Sequence, residues 1–200
     1  MLKIAITGGI ACGKTLASNT LADLGACIID ADIIARNITQ KGSIAAQKIR
    51  QAFGDDFFDS NGELIRRKFS QYVFQDTQRV KLLNSITHPL IRQEIQRQID
   101  EQKNCSVVFV VIPLLVESGM IDMFDRVWVI IADINSRIKR MMRRDNISIQ
   151  QAYNILNHQA SDEERLKVAD LVIHNNGSEQ EFVDQIKTEY RKLIHELSML

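Results

Sequence analysis

An apolar run, "LKIAI" at residues 2–6, breaks directly into "TGGIACGKT" and resumes as a helical pattern. That junction restricts the fold more than anything else in the chain. The spacing Gly8-x-x-x-x-Gly13-Lys14-Thr15 is that of a phosphate-binding loop. Such a loop needs a strand before it and a helix after it. Downstream, "KTLASNTLADLG" places Ala17, Leu21 and Leu24 on one helical face and stops at Gly25, an expected C-cap. "ACIID" is then a second apolar run. Strand, loop, helix and strand within about thirty residues make a βαβ unit.

Three further apolar runs follow, "VVFVVI" (107–112), "VWVII" (127–131) and "LVI" (171–173). Runs that are apolar on both faces suit a parallel sheet covered by helices, so the expectation is an α/β fold with five parallel strands. Their spacing is uneven. Residues 34–106 carry helical patterns without a strong strand, and an arginine-rich stretch separates the fourth and fifth runs. Both gaps exceed what a crossover needs, which predicts a helical insertion and a shorter arginine-bearing arm. The tail puts Phe182, Ile186, Leu193 and Leu197 at helical spacing behind a capping box, Ser178 with Glu181, and is expected to pack on the sheet.

The formal net charge of zero gives no global field for nucleic acid or an anionic membrane. Anion recognition therefore has to be local. Three cysteines without a C-x-x-C pair argue against a disulfide framework or a zinc site, and point to a reducing compartment. No signal peptide is read at the start, and "VVFVVIPLLV" is about half the length of a membrane span. The expectation is a cytoplasmic protein, monomeric or weakly homo-oligomeric, with no nucleic-acid or membrane partner.

The loop residues have separable jobs. Glycines let the backbone close around a phosphate at positive φ. Successive N–H groups and the helix N-terminus then form an anion nest. Lys14 is expected to reach the β- and γ-phosphates, and the Thr15 hydroxyl to ligate Mg²⁺. The nucleotide contacts expected from the loop are Gly9, Ile10, Ala11, Cys12, Gly13, Lys14, Thr15 and Leu16. Cys12, beside a helix N-terminus, is expected to have a lowered thiol pKa without a catalytic role.

"IIDAD" puts Asp30 and Asp32 at the carboxyl edge of the second strand, where open α/β sheets bind ligands. A carboxylate there can accept or orient the proton of an attacking hydroxyl, and Asp32 is favoured; the alternative is an N-cap for "DIIARNI". In "NSRIKRMMRRD" (135–145), Arg137, Arg140 and Arg144 share one helical face. Next to a phosphate loop, such an arm reads as a lid that brings charge to a transferring phosphoryl group, with Arg140 first and Arg144 second. The alternative is a solvated helix face.

Taken together these residues resemble the dephospho-coenzyme A kinases. The resemblance runs through "TGGIACGKT", "IDAD", "HPLIR" (88–92), "PLLVE" (113–117), the R-x-x-x-RD of the arm (140–145), Gln159 and "KVADLVIHNNG" (167–177). It implies a three-layer P-loop kinase fold: a nucleotide-binding core of residues 1–33, 104–133 and 160–200, a helical CoA-binding insertion at 34–103, and a lid at 134–159. It implies transfer of a phosphoryl group from ATP, with Mg²⁺, to the ribose 3′-hydroxyl of dephospho-CoA. By likeness, Lys14, Asp32 and Arg140 are catalytic. Arg140, Arg144, Asn175 and Gly177 complete the ATP contacts. Thr7, Asp32, His88, Arg92, Leu114 and Glu117 contact the acceptor.

Bland readings stand beside these: a helix-breaking turn at His88-Pro89, a capped turn at Glu117, and packing alone for Gln159. The chain also departs from the family pattern. Glycine is common where Ala11 stands, a small change if φ there is negative. Many members carry an aspartate where Val111 stands, and glutamine often replaces Arg137, so no role passes to Arg137. Two rivals remain. Another P-loop nucleoside or nucleotide kinase would differ only in its acceptor. A GTP-binding switch would want N-K-x-D, which is absent; its D-x-x-G, "DSNG" at 59–62, reads as a polar turn.

Overall fold

The computed structural model describes residues 1–157 and 159–199. Positions 158 and 200, within the expected lid and core segments, lie outside them. The chain divides into two compact units: Met1–Asp30 with Gln102–Leu200, and Ala31–Glu101.

In the first unit, β1 (Leu2–Thr7), β2 (Cys27–Asp30), β3 (Val107–Val111), β4 (Arg126–Ile131) and β5 (Leu171–His174) form one parallel sheet in the order β2-β3-β1-β4-β5. Every residue of β3 is buried, which is why it reads as an unbroken apolar run. Strand β1 is central, between β3 and β4, so the order reverses directly beyond its carboxyl end. That reversal is where an open α/β sheet opens a crevice for ligands.

Helix α1 (Lys14–Asp23) follows the phosphate loop. It ends as its sequence demands: the Ala26 N–H bonds back to the Leu21 carbonyl, and Gly25, at φ 87°, bonds to that of Ala22. Helix α10 (Glu179–Ser198) starts at the expected Ser178–Glu181 capping box and buries Phe182, Ile186 and Leu193. With α1 it covers a core built on Ile4, Ile6, Phe109, Trp128 and Ile130. Burial of each such side chain contributes about 1.5–3 kcal/mol.

The arm between β4 and β5 consists of α7 (Ile134–Asp145), α8 (Ile149–Asn157) and the short α9 (Asp162–Leu166). Helices α7 and α8 pack together over a small core of Ile138, Met141 and Ala152. A further single turn, α6 (Leu115–Ser118), follows β3.

The second unit is helical, with α2 (Ala31–Asn37), α3 (Ile44–Phe53), α4 (Arg66–Val73) and α5 (Thr77–Glu101). Its core is Ile49, Phe57, Phe69 and Val73, with Phe53 and Phe57 edge-on to Phe69. Helix α5 packs against α2, α3 and α4. The "DSNG" segment is a turn: Asp59 Oδ1 accepts from the N–H groups of Asn61 and Glu63, both at 2.9 Å.

One alternative is set aside and one expectation is corrected. His88-Pro89 is not a break, because Pro89 lies inside α5. Proline removes one backbone bond, but packing against three helices holds the rest. The cysteines are not all unpaired either: Cys27 and Cys105 form a disulfide, Cα atoms 6.4 Å apart, and only Cys12 is free. Cys27 opens β2 and Cys105 precedes its neighbour β3, so the sheet joins residues 78 apart in sequence, which spacing cannot reveal.

Candidate active site

The loop between β1 and α1 has all five carbonyls from Gly8 to Cys12 engaged. Lys14 Nζ donates to those of Gly8 and Gly9 at 2.8 and 3.0 Å. Arg137 Nε donates to Ile10 at 3.0 Å, Arg140 Nη1 to Ala11 at 3.1 Å, and Asn175 Nδ2 to Cys12 at 2.7 Å. Two loop amides are engaged as well, Ile10 with Gln159 Oε1 at 2.8 Å and Cys12 with the Gly9 carbonyl at 3.3 Å, while the first-turn amides of α1, including Thr15 and Leu16, have no intrahelical acceptor and can face an anion.

Gly13 sits at φ 107°, and a Cβ there would fall 2.3 Å from Asn175 Nδ2. A Cβ on Gly9 would fall 2.1 Å from Arg137 Nη2. Both glycines therefore exist to let side chains lie against the loop backbone. Ala11 holds φ 60°. The condition for a harmless alanine, a negative φ, is not met. Its left-handed backbone costs on the order of 1–2 kcal/mol.

Cys12 is fully buried. Burial raises its thiol pKa despite the opposing pull of Arg137 and Lys14. The expectation of a lowered pKa is overturned, because desolvation outweighs the helix terminus.

The arm's arginines sort differently from the sequence reading. Arg140 reaches the loop and the end of β5: besides Ala11 it donates to the Asn175 backbone carbonyl at 3.0 Å and to Asn175 Oδ1 at 3.2 Å. Arg144 is exposed and bonds Asp145, next to it, at 2.8 Å through two nitrogens. Arg137, to which no role was passed, is 6% exposed and pairs with Asp162 at 3.3 Å. Gln159 does more than pack: its Oε1 accepts from the Ile10 N–H at 2.8 Å.

Arg165 escaped the sequence reading altogether. It is 1% exposed, bonds the Ala160 carbonyl, and faces Asp162 at 3.5 Å and Glu117 at 3.3 Å. Only its recurrence as an arginine among the acidic residues of "SDEERL" hinted at pairing.

Asn175, expected among the ATP contacts, is 5% exposed and faces Cys12 and Arg140. Gly177 abuts the Glu181 carboxylate of the α10 capping box. Thr7 is fully buried, its hydroxyl bonded to the Pro113 carbonyl at 3.4 Å. Leu114 is half-exposed before α6. Glu117 Oε1 accepts from the Ala160 N–H at 2.8 Å as well as from Arg165, so its carboxylate ties α6 to the end of the arm. In the helical unit, Asp32 is exposed in the first turn of α2, and His88 and Arg92 lie one turn apart on α5, which packs against α2. Burial, then the charge of Arg92, lowers the His88 pKa from its ordinary value.

Metal-ligating chemistry is sparse. Among the described residues no group of three or more His, Cys, Asp or Glu could hold an ion. Val111 is apolar and buried at the end of β3, and Asp30 is its register partner on β2. No helix of the described residues is long and apolar enough to cross a membrane.

Comparison with known proteins gives the family and the fold. The sequence model of the dephospho-CoA kinase family matches residues 2–181. A dephospho-CoA kinase of Carboxydothermus hydrogenoformans is 39% identical over 191 residues, covering 94% of this chain and 93% of the relative. That of Escherichia coli K12 is 41% identical over 175 residues, covering 88% and 84%. The solved dephospho-CoA kinase from Campylobacter jejuni superposes with a TM-score of 0.71 at 31% identity, covering 96% of each chain. The five-stranded parallel sheet with its phosphate loop is thus a P-loop kinase fold, and the chain belongs to the dephospho-CoA kinase family.

Proposed function

We propose that this chain transfers the γ-phosphoryl group of ATP to the ribose 3′-hydroxyl of dephospho-CoA through the residues assembled above. Membership of the family gives ATP-dependent phosphorylation of dephospho-CoA, a step of coenzyme A biosynthesis, and decides against a nucleoside kinase or a GTP-binding switch.

One observation carries the assignment of residues: a loop whose carbonyls are held away by four side chains, leaving amides for phosphate. The triphosphate tail lies along the amides of residues 11–16, with Lys14 exchanging loop carbonyls for phosphate oxygens. Arg140, tied to Ala11 and Asn175 at the arm's base, places positive charge beside the transferring group. Asp32 orients the acceptor hydroxyl and takes its proton as the new O–P bond forms and the bond from the γ-phosphorus to the β,γ-bridging oxygen breaks, with ADP leaving. His88, Arg92 and Leu114 border the acceptor.

The donor set fits magnesium only as an ion escorted by the nucleotide. Thr15 supplies a hydroxyl, and Asp30, beside Val111, is the carboxylate for its water shell. When bound, the ion neutralises charge on the β- and γ-phosphates.

The test is incubation with ATP, Mg²⁺ and dephospho-CoA, with mass detection of the product and a panel of nucleoside acceptors alongside. The expected result is one added phosphoryl group on dephospho-CoA alone. Turnover of a nucleoside in preference to it would overturn the acceptor assignment.

A further inference from the structure

The Ile10 peptide is gripped from both ends by the arm. Its N–H donates to Gln159 and its carbonyl accepts from Arg137 Nε. The Ile10 side chain packs on the core of the arm, against the cluster of Ile138, Met141 and Ala152. Arg137 has little freedom to leave. Asp162 faces its Nη1 with both carboxylate oxygens, at 3.3 and 3.4 Å, and its guanidinium lies against Gly9 where a Cβ would otherwise stand. Asp162 is fixed in turn, in the first turn of α9 behind the Ser161–Glu164 capping box and within reach of the buried Arg165.

The residue after this gripped peptide is Ala11, at positive φ. A non-glycine residue keeps such a backbone only where its surroundings over-determine it. The hold on Ile10 from one side and Arg140 on the Ala11 carbonyl from the other are those surroundings.

We propose that Arg137 is a positioning residue for phosphoryl transfer: with Gln159 it clamps the Ile10 peptide, and so holds the Ala11 turn that aims the following amides at the phosphates. It rests on the reading of this loop as the ATP site. Arg137 itself does not touch nucleotide; it is buried, and its Nε and Nη1 are engaged by Ile10 and Asp162.

The chemistry of the side chain supplies a sharp test. Glutamine matches arginine atom for atom through Cδ, and its Nε2 stands where arginine has Nε. Arg137→Gln therefore keeps the donor to Ile10 and loses the pair with Asp162. Arg137→Met has the same length and loses both. A merely structural ion pair would make the two variants equally impaired.

The expected result is a fall in kcat of about 100-fold for Arg137→Met, the scale of a small misplacement of reacting groups, with the KM for dephospho-CoA within about threefold. Arg137→Gln should stay within about fivefold of the wild-type kcat. Equal kcat values in the two variants would overturn the proposal. If Arg137→Met does not fold, Gln159→Met against Gln159→Glu probes the N–H side of the clamp in the same way, the glutamate keeping the acceptor. Hydrogen exchange at the Ile10 amide, read by NMR, needs no turnover: protection kept in Arg137→Gln and lost in Arg137→Met supports the clamp, and equal protection refutes it. A wild-type protein that fails to phosphorylate dephospho-CoA would remove the activity reading alone.

Discussion

Gly13→Ala tests how the loop is held. The added Cβ would stand 2.3 Å from Asn175 Nδ2 and 3.3 Å from the Phe182 ring, on a backbone at φ 107°. Asn175 cannot step aside freely, since it is buried and bonded to Cys12 and Arg140. The backbone strain is worth about 1–3 kcal/mol. Losing the donor to the buried Cys12 carbonyl adds about 1–3 kcal/mol. A total near 4 kcal/mol lowers Tm by roughly 8–16 °C for a chain of this size. That is less than the usual 5–15 kcal/mol of total stability at the upper end, so a folded protein should remain at room temperature. Calorimetric melts measure the loss, and ATP titration calorimetry should show weakened binding. Because the clash is with one side chain, Gly13→Ala and Asn175→Ala must couple: the double variant should lose about 1–2 kcal/mol less than the sum of the singles. Strict additivity, or a Tm within 2 °C of wild type for Gly13→Ala (an ~0.5–1 kcal/mol effect), would refute the reasoning.

Three other predictions follow from the same geometry. Asp32→Asn should lower kcat by about 10²–10⁴-fold in steady-state assays, and a change confined to the acceptor KM would make Asp32 a binding residue instead. Cys105→Ser, or reductant, should cost roughly 2–4.5 kcal/mol, the upper figure being the loop-entropy value for a 78-residue separation; identical melts with and without reductant would count against the cross-link. His88, its pKa lowered from 6.5 by burial and Arg92, binds fewer protons folded than unfolded; its contribution to stability is complete above pH 6.5 and lost as pH falls through that value toward the folded pKa. His88→Gln should therefore flatten the loss of Tm between pH 7 and about 5, and an unchanged slope would discount that burial.

The sheet was legible because buried parallel strands have no polar face to hide. All five apolar runs became strands, with ends shifted by a residue or so. The phosphate loop, the Gly25 stop and the Ser178 capping box were legible because each is local chemistry within a few residues. What failed was long-range. The disulfide and the Glu117–Arg165 pair join residues far apart in sequence, and the Arg137–Asp162 pair joins two helices of the arm 25 residues apart. The helical period put Arg137 and Arg144 on one face, yet one lies under the loop and the other in solvent, since distance along the helix from the loop decides which is covered. The φ of Ala11 was likewise invisible, being imposed by neighbours rather than by alanine's own preference. The alternative of a break at Pro89 fails because packing of α5 against three helices outweighs one missing backbone bond.

The cross-link between residues 27 and 105 brackets the whole helical unit, which runs from 31 to 101. A protease that nicks any loop of that unit would sever the chain without parting it. The two fragments would migrate as one species on a denaturing gel until a thiol is added.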